Sequence, residues 1–474
     1  MSPRALAAVD VGFSSGRVDP LVAEALTDAS HAQRFAETYG GLQVKCNHRR
    51  GNGSWQIYDG SIWREDRDGM IYRLALEFVR GRQASALEIA DRKLKEKVLK
   101  FTLAQESKPA LDKLISLAKN FPPIADNGEG WDADPWLTGV APQGVLDWRT
   151  GTLRPGDPAD RITRTLGVRF DPTATAPRWT RFVDEIFDGD RELMGFIHRY
   201  LGYACTGFTH EQVLALFWGG GGNGKGVLMH LVAHVLGDYF ANMSFSTLEL
   251  KQRSTIPNDL AALDGRRLVT ASESGEVRLN EPRIKALTGN DPITARYLYG
   301  EGFTFTPSAK FILATNTKPV VADNSHGFWR RLKLVPFTRC FEGSMRDEHL
   351  EDYLKAHEGP GILNWLIEGC LAWQRDGLGE PAAVRDATDE YRTDSDPLAD
   401  FVAECCESSV TAVTRGSELF EAYGKWADRQ RLSKLERLTA KDFGRRLAEK
   451  FSRRHTNTGK VYESVALIKS TLWG

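Results

Sequence analysis

Apolar positions along the chain change period in blocks, and the blocks predict its elements. Val213-Leu214-Ala215-Leu216-Phe217-Trp218 is a continuous apolar run, as expected of a strand covered on both faces. After a glycine stretch, Val227, Leu228, Leu231, Val232, Val235 and Leu236 recur at helical spacing and stop at Gly237. Short apolar strands are predicted again at 267–273, 310–316 and 332–334, so residues 211–340 alternate strand and helix. Upstream, Trp55 to Trp63 reads as two short strands about the Asp59-Gly60 turn. Helical periodicity then runs from Ile71 to Leu117 with a break at Pro109, and a further helix is predicted from Trp179 to Tyr203. Downstream come a helix over Ile362–Trp373, a break at Gly377–Pro381, an amphipathic helix over Phe443–Phe451 and a hairpin tip near Thr456–Tyr462. These blocks predict four regions: 1–205, 206–345, 346–405 and 406–474.

Composition narrows the picture. The 474 residues leave room for two or three domains. With 62 basic and 63 acidic residues the net charge is −1, so affinity for a polyanion has to be local. Six scattered cysteines form no CxxC pair, which predicts reduced thiols rather than a disulfide framework. Cys46 and His48 supply at most half a zinc site. The first residues lack the layout of a signal peptide, and the longest apolar run is far too short to cross a bilayer, so a cytoplasmic protein is expected.

Gly219-Gly220-Gly221-Gly222-Asn223-Gly224-Lys225-Gly226 stands between the first of these strands and its helix. Glycines let backbone N–H groups turn towards phosphate oxygens, the helix amino terminus adds its dipole, and Lys225 adds a full charge. The string is weak by itself; the flanking strand and helix give it meaning, since the alternative is a flexible glycine linker. Where a hydroxyl that holds Mg²⁺ is usual, this chain has Gly226, followed by Val227.

Such a site needs a carboxylate at the end of a neighbouring strand. Glu273 closes Arg267–Glu273, 48 residues after Lys225, and Glu276 is a second candidate; the plainer reading is a solvated strand end. Asn316 ends the next strand, where it is either a γ-phosphate sensor or a turn-starting residue. Arg330 and Arg331 precede another apolar strand. They suit either a surface salt bridge or an arginine that reaches a neighbouring subunit's γ-phosphate.

The order Gly222–Lys225, Ala271-Ser272-Glu273, Lys285–Ile293, Ala314–Pro319 and Trp329–Leu332 resembles the superfamily 3 helicases. More narrowly, it resembles the phage and plasmid primase–helicases related to the poxvirus primase-helicase. Gly144–Gly151, Leu201-Gly202-Tyr203 and Gly359–Trp365 extend the resemblance over about residues 55–400. It implies an α/β fold with a P-loop, AAA+-like ATPase core, a mixed α/β amino-terminal region and a winged-helix-like basic carboxyl-terminal domain. It implies ATP and Mg²⁺, with Lys225 and the loop (Gly219, Gly222, Asn223, Gly224, Gly226) on phosphate and Glu273 as the Walker B acid and metal ligand. Asn316 becomes the first sensor, and Arg331 the arginine finger ahead of Arg330. A hexameric ring on single-stranded or forked DNA is expected, with a separate primase or other replication proteins as partners, because no strand here presents a polymerase metal pair.

DNA contacts are expected from two places. Asn280 can cap a helix carrying Lys285, and a hairpin from Thr294 to Thr306 then offers Arg296 to phosphate and Tyr297 or Tyr299 to a base. From Lys425 to Lys460 there are 12 Lys/Arg against 4 Asp/Glu, where Arg445 and Arg446 lie on a helix before a hairpin. The leading expectation is an ATP-dependent replicative DNA helicase of a phage, prophage or plasmid. The rivals are an origin-binding scaffold with a nucleotide site but weak or no unwinding, and a small-molecule kinase.

Overall fold

The computed structural model describes residues 25–48, 53–250, 258–273, 277–296, 302–321, 325–456 and 459–468. Backbone contacts divide the chain into two compact units. One holds residues 1–131 and 156–163; the other holds 132–155 and 164–474. The expected first region, 1–205, is thus shared between them. Residues 164–205 belong with the central sheet because they supply apolar faces to it.

In the first unit, α1 (Asp28–Tyr39), β1 (Val44–Asn47), β2 (Ser54–Tyr58), β3 (Trp63–Glu65), α2 (Met70–Leu87), α3 (Arg92–Ala104), α4 (Lys108–Ala118) and β4 (Ala125–Asp126) follow in order. The strands form one sheet, β3-β2-β1-β4. The long helical block is cut twice. Asp91 caps α3 by accepting from the Leu94 N–H, and Pro109 sits in the first turn of α4, where its missing N–H costs nothing. The core here is Phe35, Ile71, Leu74, Phe78, Val79, Leu114 and Ile124.

The second unit opens with the antiparallel sheet β5 (Leu137–Val140), β6 (Gly144–Asp147) and β7 (Thr152–Arg154). The expected single helix over 179–203 is two, α5 (Pro177–Ile186) and α6 (Arg191–Ala204). Asp188 and Gly189 take φ of 50° and 76°, which ends α5, and Asp190 caps α6 through the Leu193 N–H.

The central sheet is wholly parallel. It is built from β8 (Leu214–Trp218), β9 (Phe240–Asn242), β10 (Leu268–Glu273), β13 (Lys310–Thr315) and β14 (Leu332–Pro336), in the order β14-β8-β13-β10-β9. The continuous apolar runs divide by period two, as a sheet covered on both faces requires. Ala215, Phe217, Ile312 and Ala314 join one core with α5, α6, α7 (Lys225–Leu236) and later helices. Leu214, Leu216, Phe311, Leu313, Leu332 and Leu334 join the core on the other face. Between β10 and β13 lie α8 (Glu281–Thr288) and the hairpin β11 (Ile293–Arg296)–β12 (Gly302–Phe305); α9 (His326–Trp329) precedes β14.

Helices α10 (Leu350–His357), α11 (Gly359–Asp376) and α12 (Ala382–Asp394) follow the sheet. The carboxyl-terminal residues run α13 (Pro397–Cys405), β15 (Cys406–Arg415), α14 (Gly416–Arg429), α15 (Ala440–Lys450), β16 (Arg453–Thr456) and β17 (Gly459–Leu467). Their strands pair in the order β15-β17-β16 around a core of Leu398, Phe401, Leu419, Tyr423, Trp426, Phe443 and Leu447. Among the described residues no helix is long and apolar enough to cross a membrane.

Candidate phosphate-binding site

Three strands of the central sheet end in register. Trp218 of β8 pairs with Thr315 of β13, and Thr315 pairs with Glu273 of β10. The chain leaving each strand therefore starts from one edge, which brings Gly219 and Asn316 beside each other and puts the backbone of Glu273 next in line. The Glu273 side chain and Glu276 lie outside the described residues.

The loop from Gly219 to Gly224 has the shape its glycines permit. Gly222 and Gly224 take φ of 69° and 81°, in the left-handed region that side chains rarely adopt. A Cβ at Gly224 would meet Ile186 at 2.6 Å, and one at Gly219 would meet the Phe337 carbonyl at 2.3 Å. Asn223 is buried, its amide 3.4 Å from that carbonyl and 3.3 Å from that of Gly220. Gly220, Gly221 and Gly226 face open space, so a side chain is absent there without steric need.

Lys225 opens α7 and is 93% removed from solvent. Its ammonium donates to the Gly219 carbonyl at 2.6 Å and lies 3.4 Å from Asn316 Oδ1. Burial lowers its pKa from the usual lysine value. No described carboxylate forms an ion pair with it. A buried cation held only by neutral oxygens beside a bent glycine loop and a helix amino terminus is a setting that an anion improves. Two of the residues proposed from the sequence, Lys225 and Asn316, thus stand together.

Sequence reasoning missed what covers the loop. After β14 the chain turns back over it: the Phe341 N–H donates to the Gly222 carbonyl at 2.7 Å, and the Cys340 thiol lies 3.3 Å from the Gly221 carbonyl. Lys318, two residues past Asn316, pairs with Asp394 at 3.2 Å and sits 5.0 Å from the Trp218 ring centre. No sequence signal marks these contacts, which join residues over 70 positions apart.

Arg331 and Arg330 lie at the other edge. Leu332 pairs with Leu214, so both arginines precede the start of β14, a strand's length (roughly 16 Å) from the loop that follows β8. Gln212 Oε1 accepts from both, at 2.5 Å from Arg330 and 3.1 Å from Arg331; Arg331 also donates to the Gly327 carbonyl. Arg330 is exposed and Arg331 half-buried. Burial and then the Arg330 charge lower the Arg331 pKa. Within one chain, neither arginine reaches Lys225.

The expected DNA contacts divide. Asn280 does cap α8, accepting from the Arg283 N–H, and the Lys285 ammonium donates to Ser325 Oγ at 3.1 Å. Arg296 is exposed at the end of β11, while Tyr297 and Tyr299 lie outside the described residues. Arg445 is exposed, but Arg446 is not available to a phosphate. It is 3% exposed and lies 3.3 Å from Asp396. The single helical step from exposed Arg445 turns its neighbour by about 100° into the core. Exposed Arg453 on β16 and Lys460 on β17 carry the basic surface instead, with Arg454 between them 3.6 Å from Glu463.

Three family models match in chain order: "D5 N terminal like" over residues 32–188, a family of unknown function over 217–331, and "Poxvirus D5 protein-like" over 393–469. A protein of Acanthamoeba polyphaga mimivirus named as a candidate helicase is 28% identical over 296 residues, covering 58% of this chain and 31% of that protein. One of African swine fever virus named as a candidate primase is 29% identical over 327 residues, 62% of this chain and 33% of the other. A Frog virus 3 protein named as a candidate helicase is 24% identical over 384 residues, 63% and 39%. The chain spans about a third of the length of the curated relatives it matches. The apo C-terminal region of NrS-1 aligns over 93% of this chain and all of that one, with 13% identity and a TM-score of 0.48. The two D5-like matches, at residues 32–188 and 393–469, bear out the resemblance read from the motifs. Its relatives are named as helicases and primases of large DNA viruses.

Proposed function

We propose that the chain is the motor portion of an ATP-dependent replicative DNA helicase that works as a ring of subunits, most simply a hexamer. The observation that carries this reading is the meeting of Lys225 with Asn316 at the ends of adjacent parallel strands, beside a bent glycine loop. In this reading the unit is a P-loop in an AAA+-like sheet. The loop N–H groups and Lys225 take the β- and γ-phosphates, and Asn316 orients the attacking water. Mg²⁺ would be held by Glu273 and phosphate oxygens, and it neutralises phosphate charge when bound. Gly226 has no hydroxyl to give it.

The distance between Arg331 and the loop of its own chain supports a service in trans. An arginine at the amino-terminal edge can complete only another copy's site, which is what a closed ring provides. The carboxyl-terminal order helix, strand, two helices, two strands is that of a winged helix, and its exposed basic strands suit single-stranded or forked DNA. The phage, prophage or plasmid setting, a bacterial cytoplasm and a separate primase partner belong to the same proposal.

The test is ATP hydrolysis with and without single-stranded DNA. The expected result is stimulation by DNA and a loss of roughly 10²–10³-fold or more in Lys225→Ala, with the melting temperature kept. Undiminished hydrolysis in that variant overturns the motor. Gly226 favours a second reading, an origin-binding scaffold whose nucleotide only orders the ring. Binding of a forked duplex without strand displacement would select it.

A further inference from the structure

The first unit carries a charged surface that the motor does not use. Over Arg92 to Lys100, α3 has five cations and one carboxylate, in a chain whose net charge is −1. Arg92 is taken by Glu96 at 3.0 Å. Lys93, Lys97 and Lys100 are exposed and follow i, i+4, i+7, which stacks them on one face over about 10 Å.

Exposed Lys108 on the next helix is likewise without a described ion pair, but the arginines on the surface of this unit behave differently. Arg34 pairs with Glu37, Arg64 with Asp59, Arg67 with Glu65, Arg73 with Asp68 and Arg80 with Glu106. Among the described residues the three lysines have no such partner. A surface that neutralises its arginines one by one and leaves a row of lysines open is complementary to a polyanion.

We infer that the Lys93–Lys97–Lys100 face of α3 is a sequence-neutral binding surface for the phosphate backbone of a nucleic acid strand. The geometry favours nucleic acid over a lipid surface. A helix that lies in a membrane interface needs its apolar face free, and here Val98, Leu94 and Leu99 are packed with Ala86 and Ile89. The inference does not depend on ATP hydrolysis or on a ring.

The experiment uses the full chain with Lys93→Glu, Lys97→Glu and Lys100→Glu combined. Binding of fluorescein-labelled oligothymidylate, and separately of a labelled duplex, is read by anisotropy across a potassium chloride series. Loss of three phosphate contacts is expected to flatten the plot of log affinity against log salt by about 2 for the single strand and to weaken low-salt binding by roughly tenfold or more. A control with the same charge change at Arg34, Arg64 and Arg67 is expected to keep the parent slope. Basal hydrolysis without DNA and the melting temperature serve as the check on folding, since all three lysines are exposed. A loss confined to the duplex would make duplex the ligand. An unchanged slope on both ligands, an equal loss in the control, or binding of phosphatidylserine vesicles with no change on either nucleic acid overturns the inference. If the parent hydrolyses no ATP, the motor reading fails while the salt slopes still decide this one.

Discussion

Lys225 and Lys310 occupy opposite edges of the same parallel sheet, and burial lowers the pKa of both. At the amino-terminal edge, Lys310 is 2% exposed and fully enclosed. Its ammonium donates to the carbonyls of Thr206 and of Ser308 (2.9 Å) and sits 5.1 Å from the Tyr203 ring centre. Arg267 beside it donates to the Pro135 carbonyl at 2.8 Å and lies 3.2 Å from that of Asp134. At the carboxyl-terminal edge, Lys225 has a glycine loop with open space at Gly220, Gly221 and Gly226. A buried lysine is therefore no sign of a site by itself. What separates the two is the room left for a ligand beside one and the closed cage around the other.

The largest effect expected on this contrast comes from joining the edges across subunits. Arg331→Ala should lower hydrolysis by roughly 10³-fold or more, as loss of an arginine finger does. Mixing it with Lys225→Ala protein should restore part of the rate, because some interfaces then hold both intact groups. Two dead proteins that stay dead when mixed, in steady-state ATPase assays under exchange conditions, would break the trans arrangement.

The next effect separates the lysines by stability. Lys310→Ala leaves carbonyls unpaired around a cavity and should cost about 2–5 kcal/mol in denaturant unfolding, whereas Lys225→Ala should cost far less. Lys310→Met keeps the volume without the buried charge and should be neutral or stabilising. The pH sign follows from the lowered pKa: the folded state binds the Lys310 proton less well than the unfolded chain. Parent stability relative to Lys310→Met should therefore rise with pH above the depressed folded value, up to the ordinary lysine pKa. A constant difference in melting temperature between the two across alkaline pH would break the cage as described.

The smallest effect tests the open side. A Cβ at Gly226 meets nothing within 4 Å, so Gly226→Ser should fold unchanged and raise Mg²⁺-dependent hydrolysis by about 2- to 10-fold, through one added ligand. A fall in melting temperature would show that the space is not free.

How much of this was legible depended on whether the signal was local. The strand, loop and helix around Lys225 lie within 24 residues and announce themselves by period and glycine. So does the Asn280 cap. The break at Asp188-Gly189-Asp190 is local too, but the apolar period continues through it and hides it. The burial of Arg446 is not legible because charge counts do not record direction: one residue from exposed Arg445, it is paired with Asp396, fifty positions away. The division of the chain could not be read along the sequence either, since residues 156–163 return to the first unit after 132–155 have left it.

Strand β14 links the arginine pair to the cover over the glycine loop. It begins just after Arg331 and runs on into the Phe337–Phe341 segment that roofs the loop through Gly222. Under the proposed ring, Arg331, placed to meet a neighbour, and the Cys340–Phe341 cover over the subunit's own loop would be joined through the five residues of one strand and the short segment after it. In that arrangement a pull on Arg331 would be passed along the strand to the cover, which would give successive subunits of the proposed ring a mechanical order.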